Sequence, residues 1–158
     1  MVDVTLAQPR HVEAIADLCV EMNRFYGEMR DAPIERLRTP ITEALFDPPA
    51  GRGPAGRALL AFTDDDEADL VGFASFSHHW PAAGLTRSLW LKELYVRSRA
   101  RRTGVGRALM EELYAVADRE GCTRVELTTE RDNAGAQAFY ASLGIPVMAE
   151  KLYYRLER

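Results

Sequence analysis

The sequence predicts a single α/β domain over residues 1–158, with a mixed sheet flanked by helices. Three observations predict it. Apolar positions switch along the chain between the spacing of a strand and that of a helix. Hydrophobic residues make up 47% of the 158, enough for one core. A strand, a helix and a strand follow one another across residues 88–129, the order of a βαβ unit.

Val2, Val4 and Leu6 alternate and predict the first strand. After Pro9, the positions Val12, Ile15, Leu18, Cys19 and Met22 form a helical stripe that continues through Phe25 and Tyr26. Pro33 breaks the chain, and a second helix is predicted over residues 34–46. DPPAGRGPAG (47–56) carries three prolines and three glycines, which cannot sustain a ladder and predict a loop. Residues 58–62 and 70–77 are strand candidates, joined by DDDEAD (64–69), a solvated turn with no metal-like spacing. After HHWPAAG (78–84), SLWLKELYV (88–96) is strongly strand-forming. Strict alternation puts Leu89, Leu91, Glu93 and Tyr95 on one face and Trp90, Lys92, Leu94 and Val96 on the other. The next helix opens in RRTGVGRAL (101–109), buries positions such as Val105, Leu109, Met110, Leu113 and Val116, and stops at Gly121. Residues 122–129 predict a strand, 133–142 a helix ended by Gly144, and 147–156 a last strand.

Charge and composition exclude several classes. A formal net charge of −4 argues against a general binder of nucleic acid or anionic membrane. No apolar run approaches the length of a membrane span. With no secretory segment at Met1–Pro9, Cys19 and Cys122 are expected as buried thiols in a reducing compartment, which predicts a cytoplasmic protein. No set of residues with metal-ligand spacing is assigned.

RRTGVGRAL is the most informative segment. Its glycines make a tight strand-to-helix connection, with Arg101 and Arg102 simply solvated. Alternatively, they let a ligand phosphate approach consecutive backbone N–H groups at the positive end of a helix. Arg99, Arg101, Arg102 and Arg107 concentrate positive charge there in a net acidic chain. A Walker A loop requires Gly-Lys-Ser/Thr, which is absent; a dinucleotide fingerprint requires a third glycine and an N-terminal location, and both are missing.

Arg101-x-x-Gly104-x-Gly106 after Leu94-Tyr95-Val96 resembles the acetyl-coenzyme A loop of the GCN5-related N-acetyltransferases (GNAT superfamily). Asn133-x-x-Ala136-x-x-Phe139-Tyr140-x-x-Leu143-Gly144 is similar to the second cofactor motif of that family. Residues 88–156 carry the resemblance most specifically, and element order extends it over nearly the whole chain. It implies a GNAT-like fold with splayed central strands, acetyl-coenzyme A as cofactor, and direct attack by an amine in a ternary complex.

Carried over residue by residue, the resemblance implies that backbone groups of Leu94, Tyr95 and Val96 contact the cofactor. It also implies that Arg101, Arg102, Thr103, Gly104, Val105, Gly106 and Arg107 line the pyrophosphate loop. A backbone N–H aimed at the thioester oxygen would stabilise developing negative charge. Asn133 and Ala136 fall on the pantetheine side, and Tyr140 is the expected general acid, its alternative being helix-to-sheet packing with Phe139. An alkyl ammonium must lose a proton before it attacks. Glu93 is the first candidate base or cation site, Glu130 the second, and His78 or His79 the third, the histidines equally being an exposed hairpin end. Tyr26, Glu28, Trp80, Glu93 and Glu130 are the candidate acceptor-binding residues. A small-molecule amine is the expected acceptor. The rivals are a peptide or protein amine and a non-catalytic acyl-coenzyme A sensor. The aromatic run LYYRL at the end of the chain raises the expectation of a homodimer.

Overall fold

Alternating apolar segments condense into one five-stranded sheet in the computed structural model, which describes residues 1–27, 33–63 and 69–158. The strands are β1 (Asp3–Leu6), β2 (Arg57–Phe62), β3 (Leu70–His79), β4 (Arg87–Val96) and β5 (Cys122–Leu127), side by side in chain order. β1 to β4 pair antiparallel, and β4 and β5 pair parallel. Parallel pairing requires a crossover. The helix α3 (Val105–Arg119) supplies it. Two helices, α1 (Val12–Tyr26) and α2 (Ile34–Leu45), precede the hairpins, and α4 (Ala134–Ser142) follows β5. The chain divides into two compact units: Met1–Leu127, which holds the sheet with α1 to α3, and Thr128–Arg158, which holds α4.

In the first unit each sheet face has its own helical cover. On one face, Ile15 and Leu18 of α1 pack with Ala58, Leu60, Phe62, Phe73 and Tyr95. Full burial of such side chains contributes roughly 1.5–3 kcal/mol each. On the other face, Val105 and Leu109 of α3 close on Gly72, where an added Cβ would lie 2.7 Å from Val105 Cγ1 and 3.0 Å from Leu109 Cδ1. A hydrogen would fit there and a methyl would not, so Gly72 sets the close seat of α3 on β3. Gly27, with φ +72°, ends α1 in the left-handed conformation. Arg38 of α2 donates two hydrogen bonds to Glu13 of α1, at 2.7 and 2.8 Å.

The register of β4 corrects the expected alternation. Phe76 stands opposite Leu91, but Ser75 stands opposite Glu93, so Lys92 is an extra residue in a β-bulge. Opposed residues share a face. Leu89 and Leu91 therefore belong to the α3 face, whereas Glu93 and Tyr95 belong to the α1 face. One inserted residue flips every side chain beyond it. β3 extends to His79, two residues past the predicted end, while the strand from Cys122 stops at Leu127 rather than Thr129. The strand predicted over residues 147–156 does not form: the segment is irregular and exposed. The predicted turn at 64–69 lies outside the described residues apart from Asp69. Cys19 and Cys122 are free thiols, half-buried rather than fully buried.

Candidate active site

Two backbone features of the first unit converge on the connection between β4 and α3. First, β4 pairs with β5 only from Arg87 opposite Cys122 to Leu91 opposite Leu127. β3 continues to pair with β4 through Val96. Among the described residues of the first unit, the β5 side of Glu93, Leu94, Tyr95 and Val96 therefore has no strand neighbour, and apart from the Val96 carbonyl, which Arg101 engages, its backbone groups suit a ligand. Second, α3 starts on Gly104 at φ +93°, with no side-chain cap and no acidic residue in its first turn. The first N–H groups of a helix have no intrahelical acceptor. An ideal Cβ at Gly104 would meet nothing within 4 Å, so its need is conformational, a left-handed turn that L side chains rarely adopt. A helix N-terminus with no built-in acceptor suits a phosphate group, and the residues present fit the pyrophosphate of acetyl-coenzyme A.

The arginines before that turn divide by role. Arg97 donates to Glu21 at 2.7 Å, to Asp17 at 2.5 Å and to the Leu70 carbonyl at 2.8 Å. Glu21 also accepts from the Tyr95 hydroxyl at 3.0 Å and the Ser98 N–H at 3.2 Å. Burial raises the Glu21 pKa, but these donors, Arg97 foremost, outweigh it and hold the group below its ordinary value. Arg99 forms an ion pair with Asp69, whose carboxyl is held low chiefly by that bond. Arg101 donates to the Val96 carbonyl at 3.0 Å and lays its guanidinium over Phe25, 4.4 Å from the ring centroid, and over Tyr95 at 5.6 Å. Thr103 turns its hydroxyl back to the Ala100 carbonyl at 2.7 Å. Arg102, itself at φ +67°, and Arg107 are exposed beside the helix start. The first three arginines thus brace the loop, and the last two flank the N-terminus of α3.

Glu93, just past the bulge, accepts a hydrogen bond from the Tyr26 hydroxyl at 2.9 Å. Tyr26 packs edge-on against Phe25 at 5.2 Å and near Tyr95 at 6.4 Å. The result is a carboxylate set among three aromatic rings at the end of α1. The Cys19 thiol is pushed up to about 11, first by burial and then by the negative charge of Glu93. A carboxylate among aromatic faces is an arrangement suited to an ammonium group.

Among the other predicted residues, Glu28 lies outside the described residues. Trp80 is 68% exposed at the far end of the β3–β4 hairpin, donating to the Leu85 carbonyl at 3.2 Å. The nearby pair His79–Ser88 lies about 16 Å along β4 from Glu93 at the usual strand rise. His78 and His79 are at that same end: His78 pairs with Glu120 at 2.7 Å, and His79 stacks on Trp90 at 5.4 Å. Neither the histidines nor Trp80 join Glu93.

In the second unit, Asn133 caps α4, its Oδ1 accepting from the Ala136 N–H at 3.0 Å. The Glu130 carbonyl accepts from the Asn133 N–H at 3.0 Å, and the Glu130 side chain is exposed. Tyr140 is half-buried and packs edge-on against Phe139 at 5.3 Å. Sequence reading missed Asp17 and Glu21, the carboxylates that engage Arg97, and placed Phe25 only on the apolar stripe of the helix. Its available signal was the four-residue spacing of Asp17, Glu21 and Phe25 on one helical face.

A family model described as the acetyltransferase (GNAT) family matches residues 17–145. The chain is 34% identical over 96 residues to the D-amino-acid N-acetyltransferase HPA3 of Saccharomyces cerevisiae, a match covering 61% of this chain and 58% of that protein. The chain therefore spans little more than half the length of that curated relative. Among solved structures, an integron cassette protein from the mobile metagenome of V. cholerae is 28% identical. It has a TM-score of 0.87, covering 99% of this chain and 93% of its own. A probable acetyltransferase is 26% identical with a TM-score of 0.84, covering 99% and 97%. The aminoglycoside N-acetyltransferase AAC(6')-Iy, solved in complex with CoA, shares the fold at 17% identity, with a TM-score of 0.74 and coverage of 100% and 96%.

Proposed function

The chain belongs to the acetyltransferase (GNAT) family, and from that premise we propose that it transfers an acetyl group from acetyl-coenzyme A to a primary amine of a small molecule. The carrying observation is the departure of β4 from β5 beyond Leu91, next to an α3 N-terminus that has no side-chain cap. Acetyl-coenzyme A supplies the activated acyl thioester when bound. Backbone groups of Leu94, Tyr95 and Val96 hold and orient its pantetheine arm. The N–H groups from Arg102 to Arg107, with the two exposed guanidiniums, receive its pyrophosphate.

Glu93 holds the acceptor ammonium and takes its proton, directly or through one water, while Tyr26 fixes the carboxylate by its hydrogen bond. Tyr140 delivers a proton to the leaving thiolate, and Asn133 orients the helix that carries it. A small amine is favoured because one carboxylate among aromatic rings matches one cation. The D-amino-acid acceptor named for the yeast relative points the same way.

Release of coenzyme A, measured over a panel of amino acids of both hands, polyamines, aminoglycosides, aryl amines and short peptides, tests the reading. Turnover is expected with one small-amine class, and Tyr140→Phe should lower kcat by about 10²-fold without weakening acetyl-coenzyme A binding. Turnover confined to peptides would overturn the acceptor class. Tight cofactor binding with no turnover on any amine would favour a sensor.

A further inference from the structure

The register that turns Glu93 to the α1 face also puts a tryptophan beside it. Ser75 stands opposite both Ala58 and Glu93, and Ser77, the next residue of β3 on that face, stands opposite Trp90. Lys92 is the extra residue of β4, so Trp90 is the next side chain to Glu93 on the α1 face. One row separates them, about 7 Å at the usual strand rise. Contacts on the two faces agree with this register. His78 reaches Glu120 at the end of α3, whereas His79 stacks on Trp90 with rings 5.4 Å apart and 3° from parallel. His79 belongs to the row beyond Trp90, so it braces the indole from the hairpin side and not from the Glu93 side.

The apolar cover of α1 on this face reaches the row of Ala58 and goes no further: its partners there are Ala58, Leu60, Phe62, Phe73 and Tyr95. Beyond that row the face carries Ser77, Trp90 and Glu126, then His79, Ser88 and Arg124. Trp90 is half-buried in this polar strip, with no aliphatic neighbour among those residues. We propose that Trp90 selects the acceptor, an amine that carries an aromatic ring on a short alkyl chain, with its ammonium at Glu93 and its ring against the indole. The proposal rests on the reading of Glu93 as the ammonium site. Ring stacking, with the area that it buries, contributes about tenfold or more in affinity. Glu126, opposite Trp90, faces Arg124 at 3.9 Å, which disfavours a second ammonium on the strip and leaves the ring as the recognised group.

Steady-state kinetics on matched amines tests the assignment: phenethylamine against propylamine, and phenylalanine of each hand against alanine of the same hand. Wild type should favour a ring-bearing acceptor by about tenfold or more in kcat/KM, with the advantage carried by KM. Trp90→Leu keeps apolar bulk without the ring; it should abolish that advantage and leave ring-free amines and the KM for acetyl-coenzyme A unchanged. Trp90→Phe should retain part of it. A wild type indifferent to the ring, or a Trp90→Leu loss equal on both kinds of amine, would overturn the proposal. Silence on every amine would instead sink the transferase reading, and binding then decides. In Trp80→Phe, Trp90 is the sole tryptophan, and its fluorescence with coenzyme A present should respond to phenethylamine and not to propylamine. No difference between the two would overturn the assignment of Trp90.

Discussion

A single carboxylate, Glu93, takes its place in the site from two neighbours far apart in sequence. The Lys92 bulge turns it to the α1 face, and the Tyr26 hydroxyl, separated from it by 67 residues, fixes its orientation. If Glu93 receives the amine, Glu93→Gln should lower kcat/KM for the amine by about 10²-fold or more and leave acetyl-coenzyme A affinity unchanged. Tyr26→Phe should cost less, because the carboxylate remains and only its orienting bond is lost. Steady-state kinetics with calorimetric cofactor titration separates the two effects. Equal loss of amine turnover and cofactor binding in Glu93→Gln would make the residue structural.

At the scale of elements, the seat of α3 on the sheet decides where its N-terminus points. Gly72 permits that seat: a Cβ would fall 2.7 Å from Val105 Cγ1, 3.0 Å from Leu109 Cδ1 and 3.3 Å from Ala61 Cβ. Gly72→Ala should therefore lower unfolding free energy by about 1–3 kcal/mol through overpacking, measured by urea denaturation. Because Val105 follows the capping Gly104, the same substitution should also weaken acetyl-coenzyme A binding by displacing the start of the helix. Unchanged stability would show that the neighbouring side chains give way freely. The helix and strand positions themselves were legible in the sequence. Val12, Ile15, Leu18 and Met22 recur at helical spacing, and the structure places α1 over Val12–Tyr26. The bulge was not legible, since SLWLKELYV alternates cleanly and only the register against β3 reveals the extra residue.

For the whole molecule, Glu21 and Arg97 tie α1 to the connection between β4 and α3, so pH acts on the fold through them. The Glu21 carboxyl is held below its ordinary 4.5 in the folded chain, which means that the unfolded chain binds the proton more readily. Its contribution is then fully present above pH 4.5 and lost as pH falls below that through the lower folded value. Wild type should be more stable than Glu21→Gln at pH 7, and the gap should close progressively below pH 4.5 in thermal unfolding. A gap that persists undiminished into acid would remove Glu21 as the titrating brace.

What the sequence by itself determined was local. Periodicity, strand-forming composition and chain breakers located the strands of the sheet and the α-helices of the described residues, and the glycines of RRTGVGRAL marked a strand-to-helix turn whose conformation, φ +93° at Gly104, only glycine adopts without strain. Motif spacing pointed to the family. Tertiary structure alone decided which charges are available and which are spent. Arg97, Arg99 and Arg101 look alike in the sequence, yet Asp17, Glu21, Asp69 and the Phe25 ring engage them. It also decided that LYYRL, strand-like by composition, has no strand to join within its own unit. Propensity and turn chemistry depend on residues adjacent in sequence, whereas ion pairing, register and strand addition depend on partners that only folding brings near.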